Sequence, residues 1–343
     1  MMMKTPDMST PAQNFFGTTE LQLKKLFSEW KEQPYRVHQV FTWVYHYHCR
    51  DFNEMTNLSK SLRSRLAENF YFALPKIQSR THSKDGSIKY LFELDDGAVI
   101  ESVWMPSDSR KTLCLSTQVG CRLNCSFCLT ASLGLKRNLT AGEIIGQHIA
   151  INEELEEKDK TTNVVFMGMG EPFLNYKNTI AAADLLHQPK GINMAAWRIT
   201  ISTAGIVPKI RQFAEEEQPY KLAVSLNGST HEQRLKTMPI TQTHTFSNLI
   251  NASKDYAYNS RNRITFEYVL MDGINDEPQD AERLIRLLGS IECKLNMIPY
   301  NEIGGVYNRP SDERIEAFME PLKRAPFPVT VRWSKGTDID AGC

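Results

Sequence analysis

The chain has 343 residues, 41 % hydrophobic and 23 % charged, and its 40 Lys and Arg balance 40 Asp and Glu to a formal net charge of zero. That is enough chain for one large domain and a small one, with the composition of a soluble globular protein. No apolar run reaches membrane length and MMMKTPDMSTPAQ lacks a signal-peptide core, which argues against a spanning or secreted protein and predicts a cytoplasmic one; the zero net charge neither favours nor excludes a nucleic-acid partner.

The first eighty residues read as helical. TTELQLKKLFSEWKEQ offers Thr18 or Thr19 as N-cap and an apolar stripe of Leu21, Leu23, Leu26, Phe27 and Trp30. A second helix is expected through RVHQVFTWVYHYHC, after Pro34, and a third through LSKSLRSRLAENF. Between Thr18 and Arg80 ten Lys or Arg stand against six Asp or Glu, a mildly basic segment that on its own reads as a solvated face. Residues 1–80 are therefore expected to form a small helical domain. Residues 81–106 are expected to follow as a β-hairpin linker, IKYLFEL and AVIESVWM joined at Asp95, Asp96 and Gly97.

From 107 to 343 strands alternate with helices. The strand runs are KTLCLS, NVVFMG, RITIST, KLAVSL, ITFEYVLM, KLNMIP and VTVRW; AGEIIGQHIAINEELEEK and DAERLIRLLGSI are among the helical segments between them. The charge run Glu153 to Lys160 suits a helix end. Such alternation predicts right-handed βαβ units, an α/β fold with a parallel sheet. Seven strands are too few for a closed eight-fold barrel, so an open partial barrel is expected, with ligands at the C-terminal ends of its strands.

The loop after the strand KTLCLS reads GCRLNCSFC, with Cys121, Cys125 and Cys128 spaced C-x3-C-x2-C. In a reducing compartment clustered thiols suggest metal binding or catalysis rather than disulfides. Zinc would need a fourth ligand, for which His148 is the nearest downstream histidine, and the usual paired zinc spacings are missing. The favoured alternative is an iron–sulfur cluster on three thiolates, whose remaining iron is left to a non-protein ligand. Phe127 would shield such a cluster. FMGMGEP ends the next strand; its glycines permit close backbone approach, and Glu171 can accept from an ammonium group. Further strand ends carry Ser202, Ser225, Asn227 and Asn301, each an ordinary helix cap alone but together a polar set on the expected ligand face. Cys114 reads as a small core residue within its strand and Cys343 as a tail residue; Cys49 and Cys293 read as structural.

LCLSTQVGCRLNCSFC, NVVFMGMGEP, ITISTAGIVPKI, AVSLNGS and GTDIDAGC resemble, in order and spacing, the RlmN/Cfr-type radical S-adenosylmethionine (SAM) RNA methyltransferases, most nearly the RlmN branch. EQPYRVHQVFTWVYHYHCRDFNEMTNLSKSLR is similar to that family's small N-terminal helical domain, so the likeness runs from about Thr18 onward. The resemblance implies a partial (β/α)6 radical SAM barrel. It implies a [4Fe-4S] cluster on Cys121, Cys125 and Cys128, and SAM held by Gly170, Glu171, Ser202, Ser225, Leu226, Asn227 and Asn301. It also implies Glu101 as proton acceptor, Cys343 as the cysteine that is methylated and Cys114 as its resolving partner. The activity implied is methylation of adenine C2 in 23S rRNA and tRNA, two SAM per turnover, by a monomer served by an electron donor such as flavodoxin or ferredoxin. The non-catalytic alternative, an iron–sulfur RNA-binding or assembly protein, would not need Glu101, Cys114 and Cys343 in register; a C8-methylating relative differs in its product. Two departures from the pattern stand out: Gly342 replaces a frequent Ala, and the Gly-Gln-Leu that normally follows the tail cysteine is missing.

Overall fold

The computed structural model describes residues 12–260, 262–302 and 305–341. Near its start, α1 (Glu20–Glu29) opens on a capping box: Thr19 accepts from the Gln22 N–H, and the Gln22 side chain reaches back to the Thr19 N–H. α2 (Tyr35–Phe41) follows Pro34 and runs on as a wider π-helical turn, Thr42–His46, where Phe41 and Tyr45 stack with ring centroids 5.5 Å apart. α3 (Lys60–Asn69) is capped by Ser59. These helices share their apolar cluster with the rest of the molecule, so that Phe15, Phe27, Val40 and Leu62 belong to the same core as Leu113, Ile144 and Val164. The close approach is at Gly17 and Gly142, where a Cβ on Gly17 would stand 2.9 Å from the Gly142 nitrogen.

Ten strands form one sheet: β1 (Lys76–His82), β2 (Ile88–Glu93), β3 (Val99–Pro106), β4 (Lys111–Cys114), β5 (Asn163–Phe166), β6 (Ile199–Thr203), β7 (Lys221–Ser225), β8 (Ile264–Leu270), β9 (Cys293–Pro299) and β10 (Val329–Val331). Their order in the sheet is their order in the chain. β1 to β4 pair antiparallel, and β4 to β10 pair parallel throughout. All seven expected strands are present and the sheet stays open between the β10 and β1 edges. The Asp95-Asp96-Gly97 turn joins β2 to β3, with Gly97 at φ 76°. β1 is the strand that sequence pattern does not predict; its burial is slight, so no apolar alternation marks it.

The parallel strands are crossed over by α4 (Ala141–Glu154), α5 (Tyr176–His187), α6 (Val207–Glu215), α7 (His231–Thr237) with α8 (Phe246–Asn259), α9 (Pro278–Leu288) and α10 (Asp312–Leu322). Register explains which face they cover. Cross-strand partners share a face, and alternate residues change face. Ile201, Val224, Phe266 and Leu295 fall on one side, are fully buried and pack in the core. The other face carries the series Val103↔Cys114↔Val165↔Thr200↔Lys221, and one level further Ser202↔Ala223, then Ser225↔Glu267↔Asn296. A parallel sheet with so polar a face is one that keeps that face for a ligand rather than for a second helical layer.

Candidate active site

The cysteine loop leaves β4 and is clamped by a short hairpin, Gln118–Gly120 against Leu135–Asn138. Gly120 has φ 76°, and a Cβ there would stand 1.7 Å from the Gly134 carbonyl oxygen, so the clamp closes only on glycine. The Cys121 N–H donates to Gly134 O at 3.0 Å and the Ser126 N–H to Thr237 O at 3.0 Å, which ties the loop to the end of α7. Cys121 and Cys125 are buried with Leu123 and Met238, while Cys128 is exposed. Burial raises the Cys121 thiol and pushes Cys125 up to about 12; Cys128 and Glu171 lie near enough to act on both.

Among the described residues no three His, Cys, Asp or Glu side chains converge to hold a metal ion. His148, which zinc would need, is buried on α4 with its Nδ1 unbonded and has Lys160 as its acting charge. The donors do fit a cluster. A [4Fe-4S] cube meets each thiolate through a different iron, so three sulfurs set around one loop suit it better than a single ion. A thiol raised by burial loses its proton only to a soft cation that bonds the sulfur, and the exposed side at Cys128 leaves the approach to a fourth iron open.

Glu171 reaches the same place from the end of β5. Gly170 has φ 99°, and a Cβ on it would lie 2.5 Å from Gln118 Cβ, so the loop packs flat on the hairpin. The Glu171 N–H donates to Gln118 Oε1 at 2.8 Å. Its carboxylate, almost wholly buried, accepts from Phe173 N at 2.9 Å and Ala204 N at 2.7 Å; burial nevertheless raises its pKa. Arg234 is the supporting cation. It is fully buried, donates to Ala204 O, Thr241 Oγ1 and Ser225 O, and acts electrostatically on Cys125 and Glu171. Nothing in HEQRLKT distinguishes this arginine from one on a solvated helix face, so sequence pattern does not single it out.

The remaining strand-end residues stand at the same end. Ser202 donates to Glu267 Oε2 at 3.3 Å. Ser225 ends β7, Leu226 donates its N–H to Glu267 O at 2.8 Å, and Asn227, at φ 52°, accepts from Val269 N at 2.8 Å. Asn275 holds this turn by donating to Asn227 O. Asn301 lines an open cavity of about 600 Å³ with Asp272, Tyr300 and Arg309. The two regions touch: Ser126 Oγ and Tyr307 OH are 2.8 Å apart, and Phe127 packs on the cluster of Val269, Met271, Ile298 and Tyr300. Glu267, unremarked in the sequence, is buried with one carboxylate oxygen unbonded and Arg332 at 3.7 Å.

Glu101 and Cys114 lie on the polar face further along. Glu101 is partly exposed, 3.4 Å from Lys89, and two residues before Val103, the cross-strand partner of Cys114. Cys114 is buried and lines a small cavity, about 20 Å³, with Val103, Met105, Met167, Arg332, Ser334, Lys335 and Ala341. The tail is delivered there by a clasp on the β1–β2 turn. Gly336 N donates to Asp85 Oδ2 at 2.9 Å, Lys84 N to Asp338 Oδ2 at 3.1 Å, and Ser83 Oγ to Asp338. Lys335 Nζ adds a bond to Pro106 O at 3.0 Å. Cys343, two residues beyond Ala341, lies outside the described residues.

Comparison with known proteins places the chain by family and fold. Residues 13–72 match the model of the ribosomal RNA large subunit methyltransferase N-terminal domain (RlmN_N), and residues 115–288 match that of the radical SAM superfamily. The chain is 44 % identical over 350 residues to the dual-specificity RNA methyltransferase RlmN of Paracoccus denitrificans (strain Pd 1222), covering 97 % of this chain and 89 % of that protein. It is 43 % identical over 323 residues to the RlmN of Desulfosudis oleivorans (strain DSM 6200 / JCM 39069 / Hxd3), covering 92 % and 87 %. A crystal structure of a radical SAM methyltransferase from Sphaerobacter thermophilus superposes with a TM-score of 0.88 at 40 % identity, covering 96 % of this chain and 98 % of that one.

Proposed function

The chain belongs to the RlmN family of radical SAM enzymes, which work with a [4Fe-4S] cluster and S-adenosylmethionine, and from that premise we propose that it methylates C2 of an adenosine in 23S rRNA and in tRNA. The observation that carries the reading is the convergence on one sheet face of the three-cysteine loop, the strand-end polar set, Glu101, Cys114 and the clasped tail. Aromatic C2 is an electron-poor carbon that does not displace a methyl group from a sulfonium, so the bound cluster and SAM would supply radical chemistry in place of polar transfer.

The chain's own residues have definite tasks in this reading. Cys121, Cys125 and Cys128 hold the cluster. Gly170, Glu171, Ser202, Ser225, Leu226, Asn227 and Asn301 bind and orient SAM. Cys343 carries the transferred carbon as a thioether, through which the adenine becomes bonded to the protein. Glu101 takes the C2 proton. The Cys114 thiolate then attacks the Cys343 sulfur, the bond from that sulfur to the methylene carbon breaks, the carbon takes up a proton to become the methyl group of the freed base, and a disulfide remains for an external reductant to open. The 1–80 segment, with its basic excess, contacts RNA; the 107–343 segment performs the chemistry. The adenosine must leave its stack to reach the sheet face, at a cost of a few kcal/mol. No helix among the described residues is long and apolar enough to cross a membrane, and a monomeric cytoplasmic enzyme served by flavodoxin or ferredoxin fits these substrates. Anaerobic cluster reconstitution followed by mass spectrometry of nucleosides from treated RNA tests the reading. The expected product is 2-methyladenosine; 8-methyladenosine, or no product from cluster-loaded protein, refutes it.

A further inference from the structure

The opposite end of the sheet also carries a concentration of charge. Arg110 stands just before β4, Trp197 and Arg198 just before β6, and Lys221 opens β7. Lys294 is the second residue of β9, on the polar face, opposite Thr265. All five therefore lie at the N-terminal ends of the parallel strands, which run four to seven residues, so roughly 13 to 23 Å from the opposite strand ends. Trp197 is 55 % exposed, with the Arg198 guanidinium 4.5 Å and the Lys221 ammonium 5.6 Å from its ring centre. Arg110 acts on both Lys221 and Lys294, and Lys221 stands two residues before the row Ala223↔Thr265↔Lys294 and acts on Lys294 in turn. Burial lowers the pKa of both lysines, and these like charges lower them further.

Four cations at one rim would ordinarily be laced with carboxylates. Here the nearby acids are engaged elsewhere: Asp159 with Lys111 at 3.7 Å, and Glu267, whose field also reaches Lys294, with Arg332 at 3.7 Å. Among the described residues none of Arg110, Arg198, Lys221 and Lys294 has an ion-pair partner. Unpaired cations around an exposed indole are the surface that tracks a phosphodiester backbone and stacks an unpaired base. An acidic electron-donating protein would meet the charge but gains nothing from the indole, and it would be docked at the wrong end to reach a cluster held by Cys121, Cys125 and Cys128.

We propose that the rim formed by Arg110, Trp197, Arg198, Lys221 and Lys294 is a second RNA-binding surface, which grips the phosphate backbone of the substrate at a distance from the reacting adenosine. The proposal rests on the reading of this chain as an RNA methyltransferase. Its use is anchorage: contacts made far from the reaction hold a large RNA while the target base is drawn out at the other end.

The test is binding of fluorescently labelled, unmodified tRNA to the cluster-loaded full chain across a salt series. The triple variant Arg110→Gln, Lys221→Gln, Lys294→Gln is expected to bind about tenfold more weakly, with a log–log salt slope shallower by about 2, at about 0.7 for each single-strand phosphate left without its cation. Trp197→Ala should weaken binding while leaving that slope in place, since stacking releases no counterions. SAM binding without RNA should be unchanged in both. Should the triple variant not fold, Arg110→Gln alone, on an exposed turn, must still reduce the slope. RNA binding with parental affinity and slope overturns the proposal, and loss only of reduction by flavodoxin assigns the rim to an acidic protein instead. Failure of the underlying reading would look different, because the unaltered chain would then neither bind RNA nor yield a methylated adenosine.

Discussion

Cys114→Ala separates a resolving thiol from a core residue. Cys114 is 8 % exposed and borders a cavity of about 20 Å³. Removing its sulfur forfeits burial comparable to one methylene, about 0.8 kcal/mol. It also enlarges the void by roughly 25 Å³, which at about 24 cal/mol per Å³ adds about 0.6 kcal/mol. A loss near ~1.4 kcal/mol leaves a large domain folded, so the variant should load its cluster and cleave SAM. The effect on release should be total. With no thiolate to attack Cys343, the base stays bonded to the protein, and the variant accumulates a nuclease-sensitive protein–RNA adduct on a denaturing gel. The double variant with Cys343→Ala should form none. Urea denaturation checks the stability change and gel analysis the chemical one. Folded, SAM-cleaving Cys114→Ala that turns over without an adduct would refute the roles of both cysteines.

Replacing any one of Cys121, Cys125 and Cys128 by Ala should abolish or destabilise the brown cluster and stop SAM cleavage, as absorbance and 5′-deoxyadenosine release will report; full cleavage by a single variant would sink the three-thiolate assignment. Asp85→Ala removes the acceptor for both Gly336 N and Ser87 N; it should cost about 2–3 kcal/mol of stability yet lower RNA methylation about tenfold while SAM cleavage continues, and unchanged coupling of the two would dissociate the clasp from tail placement. His148 is lowered by burial from 6.5 to about 4, so the unfolded chain binds the extra proton between those values. Its share of stability is complete above pH 6.5 and is lost as pH falls towards 4, by about 2 kcal/mol at about pH 5. Urea midpoints at about pH 7 and about pH 5 should therefore differ less in His148→Gln than in the parent, and an equal difference would exclude this histidine as the cause.

Much of the architecture was legible in the linear chain because its causes are local. Thr19, Ser59 and Thr140 cap the helices that follow them by side-chain bonds spanning three residues. The seven apolar runs became seven parallel strands because each is bracketed by an amphipathic helix that can only pack back onto the sheet. The thiol loop was visible as spacing, since its three sulfurs lie within eight residues of one another.

What no periodicity marks is contact between segments far apart in the chain. Arg234 serves Glu171 and Cys125 from a helix that reads as solvated, and β1 joins the sheet although its side chains are mostly exposed. Asp85 meets Gly336 across 251 positions, and that clasp, with Lys335 on Pro106, holds the tail over Cys114. Motif and pattern thus determined the fold class and marked the three-cysteine loop and the strand-end polar set. The register between strands, which puts Glu101 and Asn296 on one face, the meeting of the tail with Cys114, and the gathering of cations at the opposite rim were decided only by tertiary packing, because burial and charge pairing depend on distance in space and leave no trace in local sequence order.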